Sequence, residues 1–355
     1  GTKNPLKNKE KRLDYIGRQI MSYLYVSDQS AVISYSANRF QVKYKDGMLK
    51  SIPAEMLEVI EVFGNVQITT QCLRECLQRG INIIYYSTKG AYFGRVISPG
   101  HVNVFRQRRQ AELGKDEKFC LEFSKKIIDA KIHNQIVVLR RYARNSRENI
   151  DRPVAEMKYM QQKVVEMAKS VDQLMGYEGN AARIYFRTLG KLIDPEFAFT
   201  GRNRRPPLDP FNSMLSLGYS IILNEIYGKL EGKGLNPYFG MLHQDREKHP
   251  TLASDMMEEW RAVLIDTTVM GILNGHELSV DDFYSEENKL GVFLSDRAFK
   301  IYLKKLEEKF RSDNKYLSYV DYSVSFRKAL DLQVNQLAKM METGDLTLYK
   351  PVKIR

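Results

Sequence analysis

"PGHVNVFRQRRQ", residues 99–110, is where the period of the chain changes. Upstream, apolar residues come in short β-branched or aromatic runs: "MSYLYVS", "AVISYS", "RFQVKYK", "LEVIEVFG", "VQITT", "INIIYYS" and "AYFGRVIS". Polar or glycine-bearing turns separate them, which is the pattern of strands. One helix interrupts at "TQCLRECLQRG", with Gly80 placed as its stop and Cys72 and Cys76 on its buried face. Downstream, "KFCLEFSKKIIDAKIHNQIVVLRRYARN", "EMKYMQQKVVEMAKSVDQLM", "FNSMLSLGYSIILNEIYGKL", "DMMEEWRAVLIDTTVMGIL" and "DRAFKIYLKKLEEKF" have helical period. The expected fold is therefore α+β: a small N-terminal β-sheet domain over 21–98, a linker at 99–112 and a larger all-helical domain over 113–355. Residues 211–230 are apolar on nearly every side, so that helix should run through the middle of the bundle.

At 355 residues the chain is long enough for two cores. Its formal charge of +12 favours a polyanionic partner, and residues 101–150 concentrate it, with twelve Lys or Arg against six acids. Three cysteines without paired spacing exclude a disulfide framework or a zinc cluster. No apolar run reaches membrane-spanning length and the start of the chain has no hydrophobic signal core, so a cytoplasmic protein with no membrane partner is expected. Residues 1–20 are a basic leader, read as a tag or the end of a fused domain.

Two places suggest chemistry. In "YEGNAARIYFRTL", residues 177–189, Glu178 lies between Gly176 and Gly179. The glycines place it in a tight turn opening a helix, where backbone N–H groups are unpaired, and make it a candidate ligand. His243 closes the glycine-punctuated loop "GKGLNPYFGMLH" and precedes a helix whose apolar stripe is Leu252, Met256, Trp260, Val263, Leu264 and Thr267. Asp255 and Glu258 fall off that stripe, one turn apart, on the side that can face His243. Two carboxylates and an imidazole form an oxygen-rich set suited to Mg²⁺ or Mn²⁺, and hence to phosphodiester chemistry. On spacing alone the acids at 255, 258 and 259 with Arg261 read as a solvated helix end favoured by the dipole. His101, His133, His249 and His276 read as structural.

At these residues the chain resembles the catalytic subunit of the CRISPR spacer-acquisition integrase. The resemblance runs through "GNVQITTQCLRECLQRGINIIYYSTKGAYFGRVIS", "YEGNAARIYFRTL" and "RRPPLDPFNSMLSLGYSIILNEI". It continues through "GLNPYFGMLHQDREKHPTLASDMMEEWRAVLIDTTV" and "SVSFRKALDLQVNQLAKMMETGDLTLYKPVKIR". It implies a β-domain that makes a homodimer, a helical domain, and a divalent metal held by Glu178, His243 and Glu258. Asp255 is then an alternative ligand or a group behind the ligands, a choice that spacing leaves open. Asn212, in the "DPFN" element, is assigned to orienting substrate or backbone, and Asp209 to its turn. Arg183, Arg187, Arg205 and Arg246 are the candidate DNA-phosphate contacts. Tyr177, Tyr185, Tyr219 and Tyr238 are candidates for base stacking or for packing.

The implied reaction is attack by the 3′ hydroxyl of a foreign double-stranded DNA fragment on a phosphodiester at a CRISPR repeat border, in a complex with a small non-catalytic adaptation subunit. Two other readings stay open: a structure-selective DNA repair nuclease using water as nucleophile, and a non-catalytic basic DNA-binding scaffold.

Overall fold

The computed structural model describes residues 22–197, 199–203, 206–287, 289–314, 320 and 322–355. The basic leader at 1–20 and Arg205 lie outside the described residues. The chain divides into two compact units, meeting between Gly100 and His101.

Among its described residues the first unit contains eight strands in two four-stranded sheets. β1 (Ser22–Val26), β5 (Leu57–Phe63), β7 (Asn82–Tyr86) and β8 (Tyr92–Val96) lie in the order β1-β5-β7-β8. β1, β5 and β7 run parallel, and β8 returns antiparallel. β2 (Val32–Ser36), β3 (Arg39–Lys43), β4 (Leu49–Pro53) and β6 (Gln67–Ile68) form the second sheet, in the order β4-β3-β2-β6. β4 lies in "LKSIP", largely exposed, so it lacks the apolar run that marks the other strands. Helix α1 (Thr70–Arg79) is capped by Thr69 at its start and by Gly80 at φ 71° at its end. Cys72 and Cys76 are fully buried among Ile33, Val62 and Ile83, as small apolar residues.

The second unit is largely helical. α2 (Val104–Leu113) occupies most of the stretch read as a linker, and Gln110 buries there by donating to the carbonyls of Asn236 and Phe239. There follow α3 (Glu117–Ala143), α4 (Asp151–Glu166), α5 (Val171–Leu192) and α6 (Pro210–Gly232). After them come α7 (Thr251–Met257), α8 (Thr267–Asn274), α9 (Asp296–Arg311) and α10 (Phe326–Thr343). Between α7 and α8 the backbone makes a π-helical turn at Arg261–Asp266. Two small antiparallel pairs, β9 (Phe283–Glu286) with β10 (Lys289–Leu294) and β11 (Asp313–Asn314) with β12 (Val324–Ser325), add to the helices.

α6 buries residues around its whole circumference, from Phe211 through Ile222 to Leu230, as its uniform apolarity requires. No helix among the described residues is long and apolar enough to cross a membrane. The C-terminal segment runs back across the bundle: Asn134 on α3 donates to the carbonyl of Val352 and accepts from the amide of Ile354, each at 2.9 Å.

Candidate metal centre

Glu178 is two turns inside α5, which Ser170 caps by accepting from the amide of Gln173. This corrects the expectation of a turn at residues 176–179: both glycines are helical, and a Cβ on either would meet open space. The helix continues through them because its other face buries Leu174, Ala181, Tyr185 and Leu189, and that packing outweighs a cost of roughly 1 kcal/mol per helical glycine. Glu178 follows Leu174 by four residues and precedes Ala181 by three, so the same face carries it inward.

What it meets is Lys131. On α3 this lysine shares a face with Ile127, Ile128, Asn134 and Gln135 and is only 8 % exposed. Its Nζ pairs with Oε1 of Glu178 and, at 2.5 Å, with Oε2 of Glu258. Burial opposes a charge here, but Glu258 and Glu178 outweigh it and hold the ammonium above the usual lysine range.

Glu258 follows directly on α7, at the end of a helix where the macrodipole disfavours a carboxylate. Burial would also raise its pKa, yet Arg261, Lys131 and His243 together hold it at about 2. Arg261 reaches Oε1 at 3.0 Å. The guanidinium also lies over the ring of Tyr219, 4.9 Å from its centroid. The hydroxyls of Tyr219 and Tyr185 in turn donate to buried Asp266, so these two tyrosines pack inside the bundle.

Asp255 is fully buried, and both of its oxygens are engaged. Oδ2 accepts from the amides of Met241 and Leu242 at 2.7 and 3.0 Å, while Oδ1 accepts from the amide of His243 at 3.1 Å and from its Nδ1 at 2.6 Å. Gly240 permits the approach: a Cβ there would stand 2.7 Å from Cβ of Thr251 and 3.0 Å from Oδ2 of Asp255. With Nδ1 donating to Asp255, the other ring nitrogen, Nε2, is left as the acceptor, and it lies 3.8 Å from Oε1 of Glu258. Burial lowers the pKa of His243, but the hydrogen bond and charge of Asp255, with Glu258, raise it above the ordinary histidine value.

The structure thus sets Lys131 between Glu178 and Glu258, with Nε2 of His243 beside Glu258 and Asp255 behind the imidazole. Two carboxylates and an imidazole nitrogen suit a divalent cation, and the Lys131 ammonium is a positive charge already standing between the carboxylates. Among the described residues no three His, Cys, Asp or Glu side chains stand close enough together to hold a metal ion as a group.

The other candidates lie apart from this cluster. Asn212 is buried and organises the loop before α6, donating to the carbonyl of Gly201 and to Asp209 and accepting from Arg202. Asp209 is the cap of α6. Arg183, Arg187 and Arg246 are exposed, and Arg187 lines a cavity of about 420 Å³ with Arg152, Lys191 and Glu148. Tyr238 is partly exposed and packs edge-on against Tyr227. His133 bonds the carbonyl of Ile354 at 2.9 Å, a structural role.

Residues 24–308 match the family described as CRISPR associated protein Cas1. Over 324 residues the chain is 37 % identical to a CRISPR-associated endonuclease Cas1 of Mycobacterium tuberculosis, covering 91 % of this chain and 95 % of that protein. The chain belongs to the Cas1 family. A Cas1-containing chain in a "Cas6-RT-Cas1--Cas2 complex" superimposes with a TM-score of 0.80 at 28 % identity, over 94 % of this chain and 36 % of that longer one. A Cas1 protein from Thermotoga maritima gives a TM-score of 0.77 at 24 % identity over 91 % and 97 % of the two chains, a likeness of fold.

Against this Cas1 fold, sequence reasoning missed Lys131 and discounted Arg261. A signal for Lys131 was present: within "IIDAKIHNQIVV" it is a charge at helical spacing from Ile127, Ile128 and Gln135, on the face that must be buried.

Proposed function

We propose that this protein is a divalent-metal-dependent DNA integrase and endonuclease that inserts foreign DNA at CRISPR repeat borders. A 3′ hydroxyl oxygen of the incoming fragment forms a bond to phosphorus as the bridging oxygen of the target phosphodiester leaves with its electron pair. One phosphodiester is exchanged for another, so the step needs no nucleotide cofactor.

The observation that carries this reading is the convergence of Glu178 and Glu258, from separate segments, on the buried Lys131 ammonium, with Nε2 of His243 beside Glu258. Glu178, Glu258 and His243 would hold Mg²⁺ or Mn²⁺, which polarises a phosphoryl oxygen and acidifies the attacking hydroxyl when bound. Asp255 holds the imidazole in the tautomer that leaves Nε2 available, and Arg261 keeps Glu258 ionised. Exposed Arg183, Arg187 and Arg246, together with Arg205, grip DNA phosphates, in keeping with the +12 charge. The working assembly is a homodimer with a small non-catalytic subunit. Membership of the Cas1 family, and a Cas1–Cas2 complex among the similar structures, support that assembly.

The test is to incubate labelled 3′-hydroxyl DNA with supercoiled plasmid carrying a CRISPR repeat, in Mn²⁺. Covalent joints are expected from the wild type, while Glu178→Ala and His243→Ala retain salt-sensitive DNA binding and join nothing. Shortened fragments without joints would identify a repair nuclease, and equal products from wild type and both variants would identify a scaffold.

A further inference from the structure

A lysine side chain buried between two carboxylates at the centre of a candidate metal site calls for its own account. Lys131 contacts Oε1 of Glu178 and Oε2 of Glu258, one oxygen from each acid. Oε1 of Glu258 is already held by Arg261 at 3.0 Å. Both oxygens of Glu258 therefore face a protein cation, so a divalent cation held by Glu258 would have to take the place of one of them. An ammonium is a compact charge with rotatable donors on a flexible four-carbon stem, so it can leave and return without rebuilding the backbone around it. Two cations cannot share that place, because a buried charge repels another at contact distance far more strongly than it would in water.

We propose that Lys131 is a built-in counter-ion, which holds Glu178 and Glu258 together before metal arrives and is displaced from them when metal binds. The inference rests on the metal-site reading above and adds to it a competitor supplied by the protein. The lysine has two consequences. It stabilises the metal-free fold, since without it two carboxylates face each other out of water. It also weakens metal binding, since every cation that enters must first break its two ion pairs.

The experiment is calorimetric titration of the full-length chain with MnCl₂ alone, wild type against Lys131→Met, alongside melting of both metal-free proteins. Lys131→Met is expected to melt lower without metal and to bind Mn²⁺ at least ~10-fold more tightly, and the same or weaker binding would overturn the inference while leaving the metal site standing. Absence of Mn²⁺ binding by the wild type would instead remove the metal site and the inference with it.

Should Lys131→Met fail to fold, the wild type decides the matter. Reductive methylation read by peptide mass spectrometry should modify Lys131 slowly without metal and several-fold faster with Mn²⁺. An unchanged rate in protein that binds Mn²⁺ overturns displacement.

Discussion

Lys131 and Arg327 are both buried cations set between two glutamates, but they are built differently. Arg327 on α10 is 6 % exposed. Its Nε and Nη2 reach the two oxygens of Glu225 at 3.0 and 3.3 Å, and its Nη1 and Nη2 each reach an oxygen of Glu307 at 2.9 Å. The guanidinium also lies over Phe310, 4.9 Å from the ring centroid. A planar fork with this many fixed partners cannot be replaced by a spherical ion without dismantling three helices. Lys131 instead holds its two acids through one point, and an imidazole nitrogen stands beside one of them. The contrast separates an ion cluster that locks the bundle from one whose cation is exchangeable.

The largest effect that tests this contrast is on activity. On the proposed metal-site reading, Glu258→Ala should lower the DNA-joining rate by about a thousandfold, equivalent to ~4 kcal/mol of transition-state stabilisation. Arg327→Met should leave the rate of the folded protein close to wild type and cost stability instead, roughly 3–5 kcal/mol for two buried glutamates left without their partner. Joining rates and melting temperatures on the same preparations check both. A stable Arg327→Met protein that cannot join DNA would erase the distinction.

A smaller effect should come from Asp255→Asn. It keeps the shape against the amides of Met241, Leu242 and His243 but loses the charge that orients the imidazole. Mn²⁺ affinity should fall about 10–100-fold by calorimetry, with the helical circular dichroism unchanged.

The finest comparison is between neighbours. Glu258 faces cations and is held at about 2, so its ion pairs stabilise the metal-free fold above the ordinary value of 4.5 and are lost as pH falls from there towards 2. Glu259 points the other way, accepting from the hydroxyl of Tyr349 and the amide of Val352, and burial pushes it up to about 8. Its contribution is full below about 4.5 and is lost as pH rises through 8. Melting of metal-free protein should therefore show an acid limb, between about pH 4.5 and 2, that Glu258→Gln flattens and a second limb, between about pH 4.5 and 8, that Glu259→Gln flattens. Exchange of the two assignments would mean that the helix presents its acids to the opposite sides.

Much of this was legible in the chain. Periodicity separated strands from helices, because side chains alternate on a strand and recur every 3.6 residues on a helix whatever else surrounds them. It located α1 with its glycine stop and the central helix α6, whereas the acids at 255 and 258 read on spacing alone as a solvated helix end and joined His243 as candidates for a site only through the family resemblance. The misses have physical causes. β4 is a largely exposed strand with little apolar content. Gly176 and Gly179 resembled a break because local propensity is weak beside the packing of Leu174, Ala181 and Tyr185. The π turn at Arg261–Asp266 shifts the helical phase without any residue that announces it.

By itself, then, the order of residues determined which segments are strand or helix and which side chains have the chemistry to hold a cation, since both depend on neighbours close along the chain. Only the tertiary structure decided that Glu178 belongs with Glu258, that Asp255 is consumed by three amides and an imidazole, and that Lys131 stands in the middle. Those outcomes depend on which helix faces meet, and burial then makes each charge answer to partners distant in sequence but within hydrogen-bonding reach.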